Sequence, residues 1–220
     1  MRLRAGDQVV VFDGRGNEAL ARVEAIAGQH VTVKTIEKRP PADESAIAIT
    51  LAQALLKSEK MDRVIRDAVM LGVAAIRPFI CERSEVPRAA LGRGGRQERW
   101  ARTVIASAKQ CGRAVLPPVL PAVDFRELLS AERDAMCLMF VEPGSGPPAG
   151  SHIDGLRDLE TRVPAKATVL VGPEGGWNPD EVKDAVAAGV TLVTLGRRTL
   201  RADAAGAVAI AVLRYVWKDF

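Results

Sequence analysis

One segment constrains the fold more than any other: an apolar run that passes through a glycine-rich loop into a well-marked helix start. Residues 168–181 read Thr-Val-Leu-Val-Gly-Pro-Glu-Gly-Gly-Trp-Asn-Pro-Asp-Glu. Asn178 is a favoured N-cap residue, Pro179 suits the first helical position, and Glu181 completes a capping box. A buried strand that leads directly into a capped helix predicts the strand–loop–helix unit of an α/β fold.

The loop in this segment, Gly172–Gly176, contains more glycine than a tight turn requires. Its three glycines allow positive φ angles and let a ligand approach the backbone closely. Because ligands of open α/β sheets lie at the carboxyl ends of strands, we interpret this loop as a small-molecule site rather than a plain turn. It has neither the GxGxxG pattern of a dinucleotide site nor the Gly-Lys-Ser/Thr of a phosphate-cradling loop.

A second strand-to-helix junction, Leu195–Asp203, reads Leu-Gly-Arg-Arg-Thr-Leu-Arg-Ala-Asp. Gly196 ends the strand, and Arg197, Arg198 and Arg201 bring positive charge that could hold a phosphate or a carboxylate. The helix that follows is rich in small side chains. It is either an ordinary buried helix or one that packs closely against a second chain.

Strand patterns alone occupy the first forty residues, whereas strands and helices alternate from residue 46 onward. The early strands, joined by glycine-containing turns, predict a meander or small barrel that is too small to be stable alone. The later pattern predicts a mostly parallel sheet covered on both faces. It includes a helix capped by Ser58 that ends at Leu71, and a possible strand at 114–119. We therefore expect an α/β chain with domains at 1–42 and 46–220.

Composition excludes several classes of protein. The chain has 220 residues, of which 48% are hydrophobic and 26% charged, which is typical of a globular protein. The few cysteines and histidines are too scattered for a disulfide framework or a zinc site, so no metal is expected. They are Cys81, Cys111, Cys137, His30 and His152. No export signal and no apolar run of membrane-spanning length is visible, so we expect a soluble, cytoplasmic protein without a membrane partner.

Basic residues crowd the first forty positions and again residues 83–113, although the net charge is only +4. Such stretches can neutralise the phosphates of a nucleic acid, or they can simply form a solvated surface. The glycine- and arginine-rich loop at 91–96 is equally open to two interpretations, an RNA clamp or a solvated linker.

Together the two glycine loops resemble those of the SPOUT methyltransferases, whose C-terminal trefoil knot binds S-adenosylmethionine. Within that superfamily the chain is most similar to the bacterial family that methylates N3 of a uridine in 16S ribosomal RNA of the small subunit. Val9–Gly14 resembles the start of that family's PUA-like barrel. Further similar stretches cover nearly the whole chain: Leu56–Met61, Leu71–Val73, Glu82–Ser84, Arg99–Trp100, Gln110–Arg113, Val171–Gly176 and Leu195–Arg201.

The resemblance implies a PUA-like RNA-binding barrel at 1–42, a SPOUT trefoil-knot domain at 46–220, and a homodimer. It implies S-adenosylmethionine as cofactor and 16S ribosomal RNA, or the small ribosomal subunit, as partner. Arg113 and Arg201 are candidates for orienting a phosphate or polarising the uracil carbonyls. Glu174 or Asp203 would accept the N3 proton, unless each only caps a helix. The expected cofactor-binding residues are Leu170, Val171, Gly172, Pro173, Glu174, Gly175, Gly176, Leu195, Gly196, Arg197, Arg198, Thr199 and Leu200.

Three features depart from the family pattern. Arg197 stands where the family has proline, and Asp203 stands where it has glutamate, which shortens the carboxylate by one methylene. The family also has a basic stretch before the equivalent of Arg2, so an incomplete barrel is expected here. Two alternative functions remain: a SPOUT methyltransferase of transfer RNA or large-subunit RNA, and a non-catalytic RNA-binding assembly factor.

Overall fold

Two compact units make up the computed structural model, which describes residues 3–87, 95–131, 135–145, 148 and 151–220. One unit consists of residues 1–44 together with 108–116, and the other of residues 45–107 together with 117–220. Of the predicted basic loop at 91–96, residues 91–94 lie outside the described residues.

The N-terminal unit contains an antiparallel sheet in the order β1-β2-β3. Its strands are β1 (Gln8–Phe12), β2 (Glu18–Ala27) and β3 (His30–Arg39). The β1–β2 turn is closed by the Asp13 carboxylate, which accepts hydrogen bonds from the backbone N–H groups of Arg15 and Asn17 at 2.7 and 3.1 Å. The Asn17 side-chain amide donates a further bond at 2.7 Å, and this bond, followed by the two backbone bonds, lowers the pKa of Asp13.

Residues 114–116 attach to that same turn. The N–H of Gly16 donates to the carbonyl of Ala114 at 3.1 Å, and the N–H of Leu116 donates to the carbonyl of Gly14 at 3.0 Å. Gly14 has φ +77°, and a Cβ there would lie 2.8 Å from the Leu116 side chain. The predicted strand at 114–119 is therefore wrong: Val115 and Val119 make only isolated bridges, because each pairs with a different partner segment.

A parallel sheet forms the centre of the C-terminal unit. Within the described residues it has seven strands in the order β6-β5-β4-β9-β7-β10-β8. They are β4 (Ala48–Ala54), β5 (Ala75–Ile80), β6 (Val123–Asp124), β7 (Met136–Phe140), β8 (Ile153–Asp154), β9 (Lys166–Val171) and β10 (Thr191–Val193). Sequence patterns missed β6 and β8, since two-residue strands carry no periodicity.

The α-helices of the described residues are α1 (Ser58–Met70), α2 (Arg96–Cys111), α3 (Phe125–Ala131), α4 (Pro179–Ala187) and α5 (Ala202–Val216). One apolar face of α1 is buried through Met61, Val64, Ile65 and Ala68. The predicted ends of α1 need correction. Lys57 occupies the N-cap without a side-chain hydrogen bond, so Ser58 is the first helical residue, and Leu71 is the C-cap.

The core lies on both faces of the central strands, where Leu51, Ile76, Leu138 and Val169 are fully buried. Helices cover both faces of a parallel sheet, which explains why these strands read as continuous apolar runs. Near the carboxyl edge, Trp177 stacks on Phe79 with ring centroids 5.9 Å apart. Each helix among the described residues is too short or too polar to cross a bilayer.

Candidate functional site

The two glycine-containing loops meet at one pocket, at the carboxyl edge of the parallel sheet. They follow β9 and β10, and β7 lies between these two strands, so the end of β7 contributes the third side. The cavity has a volume of about 430 Å³, within the ~300–1,000 Å³ range of small-molecule sites. Its lining residues are Lys60, Phe140–Pro143, Val171–Glu174, Trp177, Leu195, Arg198–Asp203 and Ala205.

Glycine is required at two positions of the first loop because other side chains approach it closely. A Cβ at Gly172 would lie 2.9 Å from the Trp177 ring, whose Nε1 donates to the carbonyl of Phe140 at 2.8 Å. Gly176 has φ +68°, and a Cβ there would lie 2.6 Å from a carboxylate oxygen of Glu142. The backbone of this loop is thus held directly against the side chains of Trp177 and of Glu142, two residues that line the pocket.

A carboxylate joins the first loop to the turn after β5. Glu181 accepts a hydrogen bond from the N–H of Asn178 at 3.0 Å, as the predicted capping box requires. Its other oxygen accepts from the N–H of Glu82 at 2.8 Å. Arg83 adds a bond from its guanidinium to the carbonyl of Gly175 at 3.2 Å. This set of contacts, which we call the loop clamp, fixes the glycine loop from the opposite side of β4.

Next to the loop clamp, Cys81 contributes no nucleophile. Burial raises the pKa of its thiol to about 11, and the Ser84 hydroxyl lies 3.3 Å from its sulfur. A thiol with this pKa stays protonated at neutral pH, and only the thiolate is a strong nucleophile.

In the second loop, Asp203 is bound by two arginines. Arg201 donates two hydrogen bonds to its carboxylate, at 2.9 and 3.0 Å, and Arg63 of α1 lies 3.2 Å away. The bond from Arg201 is the main reason that the pKa of Asp203 is lowered, and the pair raises the pKa of Arg201 in turn. Asp203 is therefore an ionised, largely buried anchor for Arg201.

Glu174, the carboxylate of the first loop, pairs with Lys60 of α1 at 2.9 Å. Lys60 and Arg63 are three positions apart, so they lie on neighbouring parts of one helix face. Helix α1 thereby supplies a cation to the carboxylate of each glycine loop. Sequence patterns did not predict this role, although Lys60 lies within a stretch already singled out by resemblance.

The structure brings most of the predicted site residues together. Those that line the pocket are Val171, Gly172, Pro173, Glu174, Leu195, Arg198, Thr199, Leu200, Arg201 and Asp203. Leu170 is buried behind it, and Gly175, Gly176, Gly196 and Arg197 lie in the same two loops without lining it. Arg113 belongs to the N-terminal unit, where its guanidinium pairs with Glu44.

The end of β7 is the main part of the pocket that sequence analysis missed. Phe140, Val141, Glu142 and Pro143 line it, together with Trp177 and the first turn of α5. The sequence did contain a pattern that could have identified it, because an apolar strand ends here. The carboxyl ends of parallel strands share one edge of the sheet, where ligands bind. Among the described residues, no group of three or more His, Cys, Asp or Glu side chains could hold a metal ion.

Comparison with known proteins finds matches along nearly the whole chain. Residues 43–214 match the RNA methyltransferase domain family, and residues 1–36 match the RNA methyltransferase PUA domain family. A ribosomal RNA small subunit methyltransferase E from Synechocystis is 32% identical over 213 residues, which cover 96% of this chain and 67% of the relative. The Bacillus subtilis protein of the same name is 27% identical, with coverages of 98% and 84%.

Two solved structures are similar over comparable lengths. A ribosomal RNA small subunit methyltransferase E from Neisseria gonorrhoeae, bound to S-adenosylmethionine, is 32% identical, with a TM-score of 0.80 and coverages of 98% and 85%. A Legionella pneumophila protein, solved with the same cofactor bound, is 29% identical, with a TM-score of 0.87 and coverages of 97% and 84%. These likenesses confirm the predicted fold class.

Proposed function

Since this chain belongs to the RNA methyltransferase family, and its similar relatives are ribosomal RNA small subunit methyltransferases E, we propose that it methylates N3 of a uridine in 16S ribosomal RNA. The family has a SPOUT α/β fold with an N-terminal PUA-like domain, and it uses S-adenosylmethionine. The observation that carries the proposal is the convergence of two glycine loops on one pocket at the carboxyl edge of the sheet.

The pocket residues fit this cofactor. Apolar side chains of Phe140, Val141 and Leu200 offer a surface for a flat base, and the backbones of both glycine loops offer polar groups. Carboxylates and guanidinium groups lie within the same cavity, which suits a ligand that carries both signs of charge. When bound, S-adenosylmethionine supplies an electrophilic methyl group. We propose that residues 170–176 and 195–200 hold it, mainly through main-chain atoms.

Methylation at N3 also requires loss of the imide proton of uracil, with donor and acceptor held in line. Glu174 and Asp203 are our candidates for proton acceptor. Both are ion-paired, so each would have to exchange a cation for the uracil N–H. Arg201 would polarise a uracil carbonyl or orient the adjacent phosphate, because its guanidinium lies at the pocket and is fixed by Asp203.

RNA binding is proposed for the domain at 1–42, and methyl transfer for the domain at 46–220. Arg113 would contact a phosphate, in exchange for its pairing with Glu44. Because N3 takes part in base pairing, a paired target base would first have to be unstacked.

We further propose that the protein acts in the cytoplasm as a homodimer. Helix α5 leaves Val208 and Tyr215 exposed as candidate contacts.

Methyl transfer to isolated ribosomal components tests this function directly. Purified protein is incubated with radiolabelled S-adenosylmethionine and either small subunits, free 16S RNA, large subunits or transfer RNA. We expect label in the small subunit or its RNA, and 3-methyluridine in the nucleosides identified by mass spectrometry. Cofactor binding with label only in transfer RNA or large subunits would overturn the substrate. RNA binding without cofactor binding would instead indicate an assembly factor.

A further inference from the structure

Three carboxylates line the pocket, and they differ in their partners. Glu174 pairs with Lys60 at 2.9 Å, and Asp203 is bound by Arg201 and Arg63. Glu142 also lines the pocket, yet its carboxylate has no hydrogen-bond or ion-pair partner anywhere in the described part of the chain. Glu142 is therefore the pocket carboxylate whose acceptor atoms are free for a ligand.

The position of Glu142 is built into the first glycine loop. Glu142 lies two positions after the end of β7 and is half-buried. One of its carboxylate oxygens lies 2.6 Å from where a Cβ of Gly176 would be, closer than real Cβ atoms come to another heavy atom. Any side chain at position 176 would push the carboxylate away. The Glu142 carboxylate thus occupies space that is open only because residue 176 is glycine.

A half-buried carboxylate without a partner loses hydration and gains nothing within the protein, so it is stabilised when a ligand donates a hydrogen bond to it. Bonds from O–H or N–H⁺ donors to a carboxylate are among the stronger ones. S-adenosylmethionine carries donors of both kinds, the ribose hydroxyls and the α-ammonium. The adjacent residues on the β7 side, Phe140 and Val141, are apolar, whereas the paired cations come from α1 and the second loop.

We infer that Glu142 is a cofactor-binding residue that accepts hydrogen bonds from a polar donor of S-adenosylmethionine. The inference rests on the proposed function, since it names a further contact in the same pocket. It assigns Glu142 to holding the cofactor rather than to taking the proton from uracil. Affinity for the cofactor, and not the rate of transfer, should therefore depend on this side chain.

Calorimetry with S-adenosylmethionine tests this assignment on wild type and on Glu142→Gln, which keeps the shape but removes the charge. We expect about ten- to a hundredfold weaker binding by the variant, the loss typical of a hydrogen bond to a charged group. Glu160→Gln, at an exposed glutamate outside the pocket, serves as the matched control and should bind like wild type. Thermal unfolding of each variant establishes that it is folded.

A second ligand identifies the donor. 5′-Methylthioadenosine retains the ribose hydroxyls but lacks the α-ammonium. If Glu142→Gln weakens binding of this compound as much as that of S-adenosylmethionine, Glu142 holds the ribose. If only S-adenosylmethionine binding weakens, Glu142 holds the ammonium. Either result supports cofactor binding.

Steady-state kinetics separates cofactor binding from proton transfer. We expect Glu142→Gln to raise KM for S-adenosylmethionine while kcat at saturating cofactor stays near the wild-type value. Equal cofactor affinity for variant and wild type would overturn the inference while leaving the proposed function intact. A fall in kcat with loss of the acidic limb of the pH profile, at unchanged affinity, would identify Glu142 as the base instead. Failure of wild type to bind the cofactor would overturn both proposals.

Discussion

At the scale of single residues, the carboxylates of the pocket differ in whether a cationic side chain is paired with them. The Asp203 side chain is short, and it is engaged by a guanidinium from its own loop and by one from α1. This arrangement holds Arg201 in a fixed orientation and keeps Asp203 ionised. The Asp203 carboxylate is therefore engaged by two guanidinium groups of the protein itself.

Replacement of Arg201 should separate transfer from cofactor binding. Arg201→Lys keeps the positive charge but cannot donate the two parallel hydrogen bonds to Asp203, so the charge is no longer oriented. We expect transfer to RNA to fall by about tenfold or more, which is less than the ~10²–10³ loss for complete removal of a positioned donor because lysine keeps the charge, with cofactor affinity near wild type. Arg157→Lys, at an exposed arginine outside the pocket, is the control. Full activity of Arg201→Lys would remove Arg201 from the mechanism.

The lowered pKa of Asp203 predicts how its contribution to stability depends on pH. A carboxyl whose pKa is lower in the folded state stabilises that state above its ordinary pKa of 3.8, and the stabilisation is lost as pH falls through the lower folded value. Asp203→Asn should therefore lower the free energy of unfolding at pH 7, and the difference from wild type should shrink below pH ~4. Urea unfolding at several pH values measures this, and a pH-independent difference would contradict it.

At the scale of elements, the glycine loop is positioned by contacts that are distant in sequence. Helix α4 provides a capping box, which is a local arrangement, but the same Glu181 carboxylate also binds the turn after β5. These two segments belong to strands separated by β4 in the sheet. The loop clamp therefore links loop geometry to packing on the far side of β4.

Weakening the loop clamp should reduce both stability and cofactor affinity. Glu181→Gln leaves one acceptor oxygen for two backbone N–H groups, and a buried unsatisfied donor costs about 1–3 kcal/mol. We expect a lower denaturation midpoint, and weaker S-adenosylmethionine binding measured by calorimetry under conditions where the variant is folded. Asp180→Asn, in the same helical turn but exposed, should change neither quantity appreciably. Unchanged affinity in Glu181→Gln would show that the clamp does not position the loop.

At the scale of the whole C-terminal unit, a buried ion pair joins the start of the unit to its end. Arg214 of α5 is 1% exposed and donates to the carbonyls of Leu71 and Gly72, both at 2.7 Å. Its partner Asp219 accepts bonds from the N–H groups of Ala46 and Ile47 at 2.8 and 3.2 Å. The end of α1, the segment before β4 and the C-terminal residues are thereby held together.

Removal of one partner should destabilise the unit strongly. Asp219→Ala leaves the buried Arg214 charge without its carboxylate, a change that typically costs about 3–5 kcal/mol. Arg214→Met with Asp219→Ala removes both charges, so the double variant should lose less stability than the two single losses added together. Chemical denaturation of the four proteins measures this coupling. Simple additivity would contradict a coupled buried pair.

The sequence by itself determined the local features of this protein. The capping box of α4 was predicted correctly, because a cap depends on hydrogen bonds between residues a few positions apart. The alternation of strands with helices predicted the parallel sheet, because parallel neighbours need a crossover connection that is usually a helix. The two glycine loops were also identified as a pair, because their glycines suit close approach of a backbone to a ligand.

Tertiary structure alone decided which distant segments complete the pocket. The order β9-β7-β10 places the end of β7, and with it Glu142, between the two loops, and no short-range pattern encodes that order. The pairing of α1 cations with Glu174 and Asp203 depends on helix placement in the same way. Arg113, chosen by resemblance, lies in the other unit beside Glu44. Each of these contacts joins residues far apart in the chain, so only the packed fold specifies them.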